Sequence, residues 1–345
     1  MLKKNIEKEY DASLALLKMV MCFFVILAHG WLPNDSGMFT SFLNDTRKFA
    51  AVVFMIVAVY FSYPLFCCPN ANKLKNRLIR LIIPQIGWSF VYWLFFCVAP
   101  TLIRHGGSIQ ADRLFLQILF GHSINSPMWF QFMLILMTLI FVILFKVFSR
   151  KYMLVIIVLS GICIFLQYMG INAEIFEGIR SEISIPLGRI VEIFPVATCG
   201  IVLAEYKLLD ILREKRLITI ILSSILLISI EKMWGVVTPK VGFDYQGIGM
   251  IVGGLSIIGI GASIPVSLTT EKGFKIFETI TGYTLGIYCM HRLVINVLER
   301  LYAYIKFPFE MGTVISCVVV YLVCYLIAFV ATNVLKRSWL KMMFS

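Results

Sequence analysis

The chain has 345 residues, of which 60% are hydrophobic and only 14% are charged. A soluble domain of this length needs more polar surface, so the composition indicates a polytopic membrane protein without a separate soluble domain. The net charge of +12 would suggest a nucleic-acid partner in a soluble protein, but here it follows from cations placed beside a lipid bilayer. We expect no nucleic-acid partner and a single integral membrane domain over residues 1–345.

Ten apolar segments alternate with short polar connections, and each has about the length that one membrane crossing requires. The predicted spans lie near residues 13–32, 49–67, 79–98, 128–147, 152–170, 186–204, 217–233, 247–266, 276–296 and 312–334. With the N-terminus in the cytoplasm, the inner connections hold 19 Lys and Arg, against 11 on the outer side. The positive-inside rule therefore places both termini in the cytoplasm. The predicted fold is an all-α, polytopic membrane helix bundle of about ten transmembrane helices.

The first span carries two ionisable residues, Lys18 and His29. Their spacing corresponds to about three helical turns, so they share one face and lie about 16 Å apart. Ionisable groups inside a span are unfavourable unless they face the protein interior or a wet cavity. Taken alone, His29 could be an interfacial histidine that bonds to a neighbouring helix. The companion Lys18 favours a functional role, with His29 as a general base.

The third span begins with a basic cluster that contains Lys73, Lys75, Arg77 and Arg80. Arg77 and Arg80 are three residues apart and share a helix face at the cytoplasmic membrane edge. Guanidinium groups bind phosphate oxygens bidentately, so the pair could hold a cytosolic polyphosphate ligand. The alternative is simple anchoring to anionic lipid headgroups. Spacing alone leaves both interpretations open.

The longest outer connection, about Pro100 to Pro127, contains a short apolar stretch from Leu114 to Phe120. This stretch is too short to cross the membrane, so it re-enters or lies flat. His105 and His122 lie in the same connection and are expected to be solvated.

The eighth span contains six glycines, a composition typical of close helix packing.

A second histidine, His291, lies in the outer half of the ninth span. His29 and His291 could therefore meet at one depth, although packing near the outer interface would also account for His291. Arg189 and Glu192 lie at i and i+3 in the sixth span, which favours a local ion pair over a role of Glu192 in orienting a histidine.

The nine cysteines are scattered and form neither a CxxC pair nor a cluster with histidines. They are interpreted as small apolar side chains, and no metal is expected.

Four motifs, taken in order, resemble the acyltransferase-3 family of bacterial integral membrane acyltransferases. Lys18 and His29 are similar to that family's basic residue and histidine in the first helix, and Asp11 is similar to the acidic residue ahead of it. The remaining motifs are the stretches Val53 to Phe61, Arg77-Leu-Ile-Arg80 with Pro84, and Thr284-Leu-Gly-Ile-Tyr-Cys-Met-His291. The first of these departs from the family, which carries Ser-Gly where this chain has Val57 and Ala58. Met128-Trp-Phe-Gln131 also lacks the Ser-x-Glu-Glu pattern of some O-antigen acetyltransferases.

The resemblance implies transfer of an acyl group, usually acetyl, from cytosolic acyl-CoA to a hydroxyl of an extracytoplasmic glycan, in a bacterial plasma membrane. Arg77 and Arg80 would hold the donor's phosphates, His29 would act as base, Lys18 would hold negative charge along the donor path, and His291 would assist in positioning. The acceptor glycan and the choice between acetyl and succinyl stay open. The alternative function is a transporter or flippase for a lipid-linked or small anionic substrate, which the lack of a visible inverted repeat makes weaker.

Overall fold

The computed structural model describes residues 11–29, 43, 46–103, 111–122, 124, 127–169, 181–238, 247–266, 271–305, 313–335 and 338–344. These residues form helices joined by short turns, and the described part of the chain contains no strand. The predicted all-α class is therefore confirmed. His105 lies outside the described residues.

Sixteen α-helices are described, and we number them in chain order. They are α1 Ala12–His29, α2 Ala50–Cys67, α3 Ala71–Trp93, α4 Ala99–Ile103, α5 Ala111–Phe120, α6 Met128–Phe148, α7 Tyr152–Tyr168, α8 Ser181–Glu205, α9 Leu208–Glu214, α10 Arg216–Lys232, α11 Trp234–Val237, α12 Ile248–Ser263, α13 Glu271–Gly282, α14 Thr284–Ile305, α15 Thr313–Phe329 and α16 Ser338–Phe344. Short π-helical segments follow α3 at Leu94–Val98 and α15 at Val330–Val334.

Five helical segments are long and apolar enough to cross a membrane, and one of them, Met128–Tyr168, contains both α6 and α7. They are Ala12–His29, Ala50–Cys67, Ala71–Thr101, Met128–Tyr168 and Val314–Val334. α12 is apolar but shorter. The membrane character of the chain is thus supported, whereas the count of ten spans and the cytoplasmic termini stay predictions.

The predicted ninth span, 276–296, differs from the structure. α13 ends at Gly282, and α14 begins at Thr284 and continues to Ile305. The Thr284 side chain donates to the Thr281 carbonyl (3.2 Å) across the break. The helix that carries His291 is therefore a separate element that starts later and ends later than the apolar pattern predicted.

α1 lies at the centre of the bundle, where it packs against α2, α12, α14 and α15. The glycines of α12 allow close packing against the beginning of α2. A Cβ atom added to Gly253 would lie 2.2 Å from a ring carbon of Phe49, and one added to Gly254 would lie 2.5 Å from a methyl carbon of Val52. The predicted packing role of the glycine-rich helix is confirmed at these two positions.

The C-terminal helix α16 fits between α3 and α14. The Trp88 indole donates to the Met343 carbonyl (3.1 Å), and the Trp88 ring meets the Phe344 ring edge-on at 5.4 Å. A Cβ atom on Gly286 would lie 2.8 Å from the Phe344 backbone. α16 therefore links the helix of the arginine pair to the helix of His291.

The apolar stretch in the connection that was predicted to be outer forms α5, which lies against α3 and α6. Gln117 of α5 is fully buried and accepts a hydrogen bond from the Ile124 amide (2.9 Å). Gln85 of α3 in turn donates to the Gln117 carbonyl (3.1 Å). These bonds satisfy backbone polar groups away from water and hold the stretch against protein, as a non-crossing segment requires.

Candidate active site

His29, the last residue of α1, faces His291 of α14. The two ring centroids lie 5.1 Å apart, and the ring planes make an angle of 33°. His291 is completely buried, whereas His29 is half-buried. The expectation that the two histidines meet is thus confirmed, and the pair marks one end of α1 as a candidate site for proton transfer.

The hydrogen-bonding partner of His291 identifies which ring nitrogen carries the hydrogen when the ring is neutral. Its Nδ1 lies 2.6 Å from the Tyr288 carbonyl oxygen. A carbonyl only accepts, so Nδ1 donates and Nε2 keeps its lone pair. This Nε2 is buried and has no hydrogen-bond partner among the described residues. It can therefore accept a hydrogen bond from the neighbouring imidazole or from a bound hydroxyl group.

Two tyrosines position the helical turn around His291. The Tyr92 hydroxyl donates to the Cys289 carbonyl (2.9 Å) and accepts from the Leu293 amide (3.2 Å). It thus bridges the two groups that an unperturbed α-helix would bond directly. The Tyr288 hydroxyl donates to the Pro127 carbonyl (3.2 Å) at the start of α6. α14 is fixed from both sides at the level of the histidine.

Two arginines that the sequence analysis did not select also reach this end of α1. Arg292 donates to the His29 carbonyl (3.4 Å), and Arg47 donates to the Leu27 carbonyl (3.2 Å). The charges of both guanidinium groups act on the imidazole of His29. Arg292 directly follows His291 in the sequence, and this adjacency is the only feature that could have identified it as a site residue. Arg47 flanks the second span, where a cation is ordinarily interpreted as an anchor.

Lys18 lies in the other half of α1, where its Nζ is 5.5 Å from the centroid of the Phe61 ring. It is half-buried, and the charge of Arg77 acts on it. Arg77 is also half-buried, and its Nε has no hydrogen-bond partner among the described residues. Arg80 is exposed. Lys18 and Arg77 thus belong to one basic region, while Arg80 lies at its surface.

Asp11 anchors the beginning of α1. One carboxylate oxygen accepts from the Leu14 amide (3.0 Å) as a helix cap, and the other pairs with Arg213 of α9. The Ser13 hydroxyl donates to the Ile264 carbonyl (2.8 Å). These contacts fix the position of α1 and hence of Lys18, which gives Asp11 a structural role.

Glu192 is fully buried and pairs with Arg189 at 3.3 Å. The predicted local ion pair is confirmed. The Arg189 guanidinium lies 4.6 Å from the centroid of the Trp129 ring. Arg189 and Trp129 line a cavity of about 190 Å³ together with Phe120, His122, Met133, Ile185 and Pro186. His122 is exposed at this cavity, as expected for a residue of the polar connection.

No group of three or more His, Cys, Asp or Glu side chains that could hold a metal ion occurs within the described residues. The nine cysteines are free thiols.

The apolar helices and the paired histidines define this chain as a helical membrane protein with a site suited to proton transfer. The family model described as an acyltransferase domain, that of acyltransferase-3, matches residues 11–330, and the chain belongs to this family. It is therefore an acyltransferase. Searches of curated proteins and of solved structures found no match.

Proposed function

We propose that this acyltransferase is a membrane O-acyltransferase that moves an acyl group, usually acetyl, from cytosolic acyl-CoA to a hydroxyl of an extracytoplasmic glycan. The observation that supports the proposal best is the pairing of His29 with His291 at one end of a continuous helix that carries Lys18 towards its other end. Such a layout suits a donor and an acceptor that approach from opposite sides. In this proposal the protein lies in a bacterial plasma membrane with both termini in the cytoplasm.

The basic region formed by Lys18, Arg77 and Arg80 would hold the donor. Arg77 and Arg80 would bind the phosphates of CoA, because guanidinium forks match phosphate oxygens. The unpartnered Nε of Arg77 leaves a donor for such a ligand. Lys18 would attract negative charge where the acyl-bearing arm enters the bundle.

His29 would act as the general base. It would take the proton of the acceptor hydroxyl while the oxygen attacks the carbonyl carbon of the thioester. The carbon–sulfur bond then breaks, and the CoA sulfur leaves and receives a proton from the imidazolium. The products are an ester on the acceptor and free CoA thiol. His291 would position His29 or the acceptor hydroxyl through its unpartnered Nε2.

The transporter alternative differs in one requirement, since a transporter works without acyl-CoA. Membership of an acyltransferase family favours acyl transfer. The polar residues in the bundle are otherwise compatible with either function.

The proposed function is tested with membrane vesicles of known orientation. Acetyl-CoA is supplied on the cytoplasmic side only, and surface glycans are examined by mass spectrometry. The proposal expects acetylated glycan on the opposite side when the protein is present, and none in vesicles without it. Glycan modification that does not depend on acyl-CoA would contradict the proposal, as would acetylation that is equal without the protein.

A further inference from the structure

We propose that Arg47 and Arg292 bind an anionic group of the acceptor, so that the acceptor is an acidic glycan whose saccharide carries a carboxylate or phosphate. This inference rests on the proposed function, because it concerns the acceptor of that reaction. It specifies a substrate class that the family membership alone does not provide.

The geometry places both arginines at the C-terminal end of α1, the turn that ends in His29. Arg47 bonds to the Leu27 carbonyl and Arg292 to the His29 carbonyl, both in the last turn of α1. Both side chains are half-buried, and both charges act on the ring of His29. An anion held between them would therefore lie next to the group that takes the acceptor's proton.

Arg47 and Arg292 are half-buried cations without a carboxylate partner among the described residues, a property that they share with Lys18 and Arg77 of the basic region. Three other half-buried cations have a carboxylate partner, in the pairs Lys48–Glu231 (2.9 Å), Arg189–Glu192 (3.3 Å) and Arg213–Asp11. In the described part of the chain, neither Arg47 nor Arg292 pairs with a carboxylate. Half-buried charge of one sign next to a substrate site favours a ligand of the opposite sign.

The competing explanation is that the arginines only cap the C-terminal end of α1. Cations there are favourable, since the last carbonyls of a helix carry partial negative charge. Each capping bond to a carbonyl, however, uses one of the five N–H donors of a guanidinium. The Arg292 guanidinium has no hydrogen-bond partner besides the His29 carbonyl among the described residues, and its Nε is unpartnered. Capping therefore leaves most donors and the full charge available.

The first test measures binding without any donor substrate. Purified protein in lipid nanodiscs is titrated, by ligand-observed NMR, with methyl β-D-glucuronide, methyl β-D-glucoside 6-phosphate and the neutral methyl β-D-glucoside. We expect at least one anionic sugar to bind at least tenfold more tightly than the neutral sugar, and the comparison shows whether carboxylate or phosphate is preferred. Equal affinity for all three, or no measurable binding of any, would overturn the inference.

The second test assigns the preference to the two arginines. Arg47→Gln and Arg292→Gln should each reduce it at least severalfold, and Arg292→Lys should retain part of it because the charge remains. Arg300→Gln is the matched control, since Arg300 is exposed on the same helix and contacts Phe95 at 5.3 Å. The assignment is contradicted if the preference for anionic sugars is unchanged in both Arg47→Gln and Arg292→Gln. It is also contradicted if Arg300→Gln reduces this preference to the same extent. These binding tests contain no acyl-CoA, so they do not depend on acetyl transfer. If the acyltransferase proposal fails, the vesicle assay shows no acetyl transfer while the binding tests still show the preference for anionic sugars.

Discussion

The imidazoles of His29 and His291 form a close pair, with 5.1 Å between ring centroids, although they come from helices near opposite ends of the chain. Only His291 is completely buried and held by a backbone carbonyl through its Nδ1. The half-buried His29 is the more accessible ring. This asymmetry supports assigning proton transfer to His29 and positioning to His291.

Replacement of His29 by Ala should reduce glycan acylation by about 100-fold or more, the usual contribution of a general base. Acylation is measured by mass spectrometry of surface glycans at matched protein levels. His122→Ala serves as the control, because that histidine is exposed and lines the cavity beside Trp129 and Arg189. Acyl-glycan at the unmodified protein's level in the His29 variant would disprove the assignment as base.

Tyr92→Phe removes the hydroxyl that bridges Cys289 and Leu293. The freed carbonyl and amide can then bond to each other, so we expect a loss of stability of only about 1 kcal/mol. The turn that carries His291 would shift, and activity should fall by roughly tenfold, because misplacement of a catalytic group is costly. Thermal unfolding and acyl transfer are measured together.

Tyr168→Phe is the matched control for this variant. It also loses a tyrosine hydrogen bond to a carbonyl, that of Val237 at 2.6 Å, away from the histidines. If both variants lose stability and activity to the same extent, Tyr92 has no specific positioning role.

Substitution of Arg77 or Arg80 by Ala should weaken acyl-CoA binding by about tenfold, which corresponds to about 1.4 kcal/mol. Lys at either position should restore only part of the affinity, since an ammonium lacks the planar fork. Binding is measured by calorimetry in detergent. Arg150→Ala removes an exposed cation of the turn between α6 and α7 and is the control. Unchanged affinity in both Ala variants would return Arg77 and Arg80 to a lipid-anchoring role.

Gly253→Ala should destabilise the protein by about 1–3 kcal/mol, because the new methyl group would overlap the buried ring of Phe49. Gly161→Ala is the opposite case. A Cβ atom there has no neighbour within 4 Å, so the higher helix propensity of Ala should stabilise the protein by about 0.5–1 kcal/mol. Thermal unfolding in detergent measures both. Equal shifts in the two variants would contradict the packing argument.

Membrane orientation is tested by labelling with an impermeant thiol reagent in intact cells, in a background that lacks the native cysteines. Cys introduced at Lys75 or Lys151 should be protected, and Cys introduced at Lys232 or Tyr304 should be labelled. All four positions are exposed in the structure. The excess of Lys and Arg on the predicted inner side is the physical reason. The reverse labelling pattern would show that the protein has the opposite membrane orientation, in which the arginine pair does not face cytosolic CoA.

The sequence indicated that His29 and His291 could meet, because the alternating direction of the predicted spans places both at a similar depth. The predicted Arg189–Glu192 pair followed from local spacing in the same way. The role of Tyr92 could not be predicted from spacing or periodicity, since it depends on which neighbouring helix the side chain contacts. Arg47 was missed because membrane-flanking cations are common. The break before Thr284 was missed because uncharged residues continue across it, and hydropathy does not report a single non-helical residue.

Between Lys18 and His29, α1 contains neither proline nor glycine, and its helical pattern is unbroken. The axial distance of about 16 Å between these two residues is therefore fixed by the helix, and side-chain motion can change it by only a few ångströms. A thioester whose headgroup is held beside Lys18 must bring its acyl carbon along most of this length to reach the imidazoles. Under the proposed function, the helix would select donors by the length of their thiol arm, and a short acyl thiol anchored at the same end would stop before the acceptor.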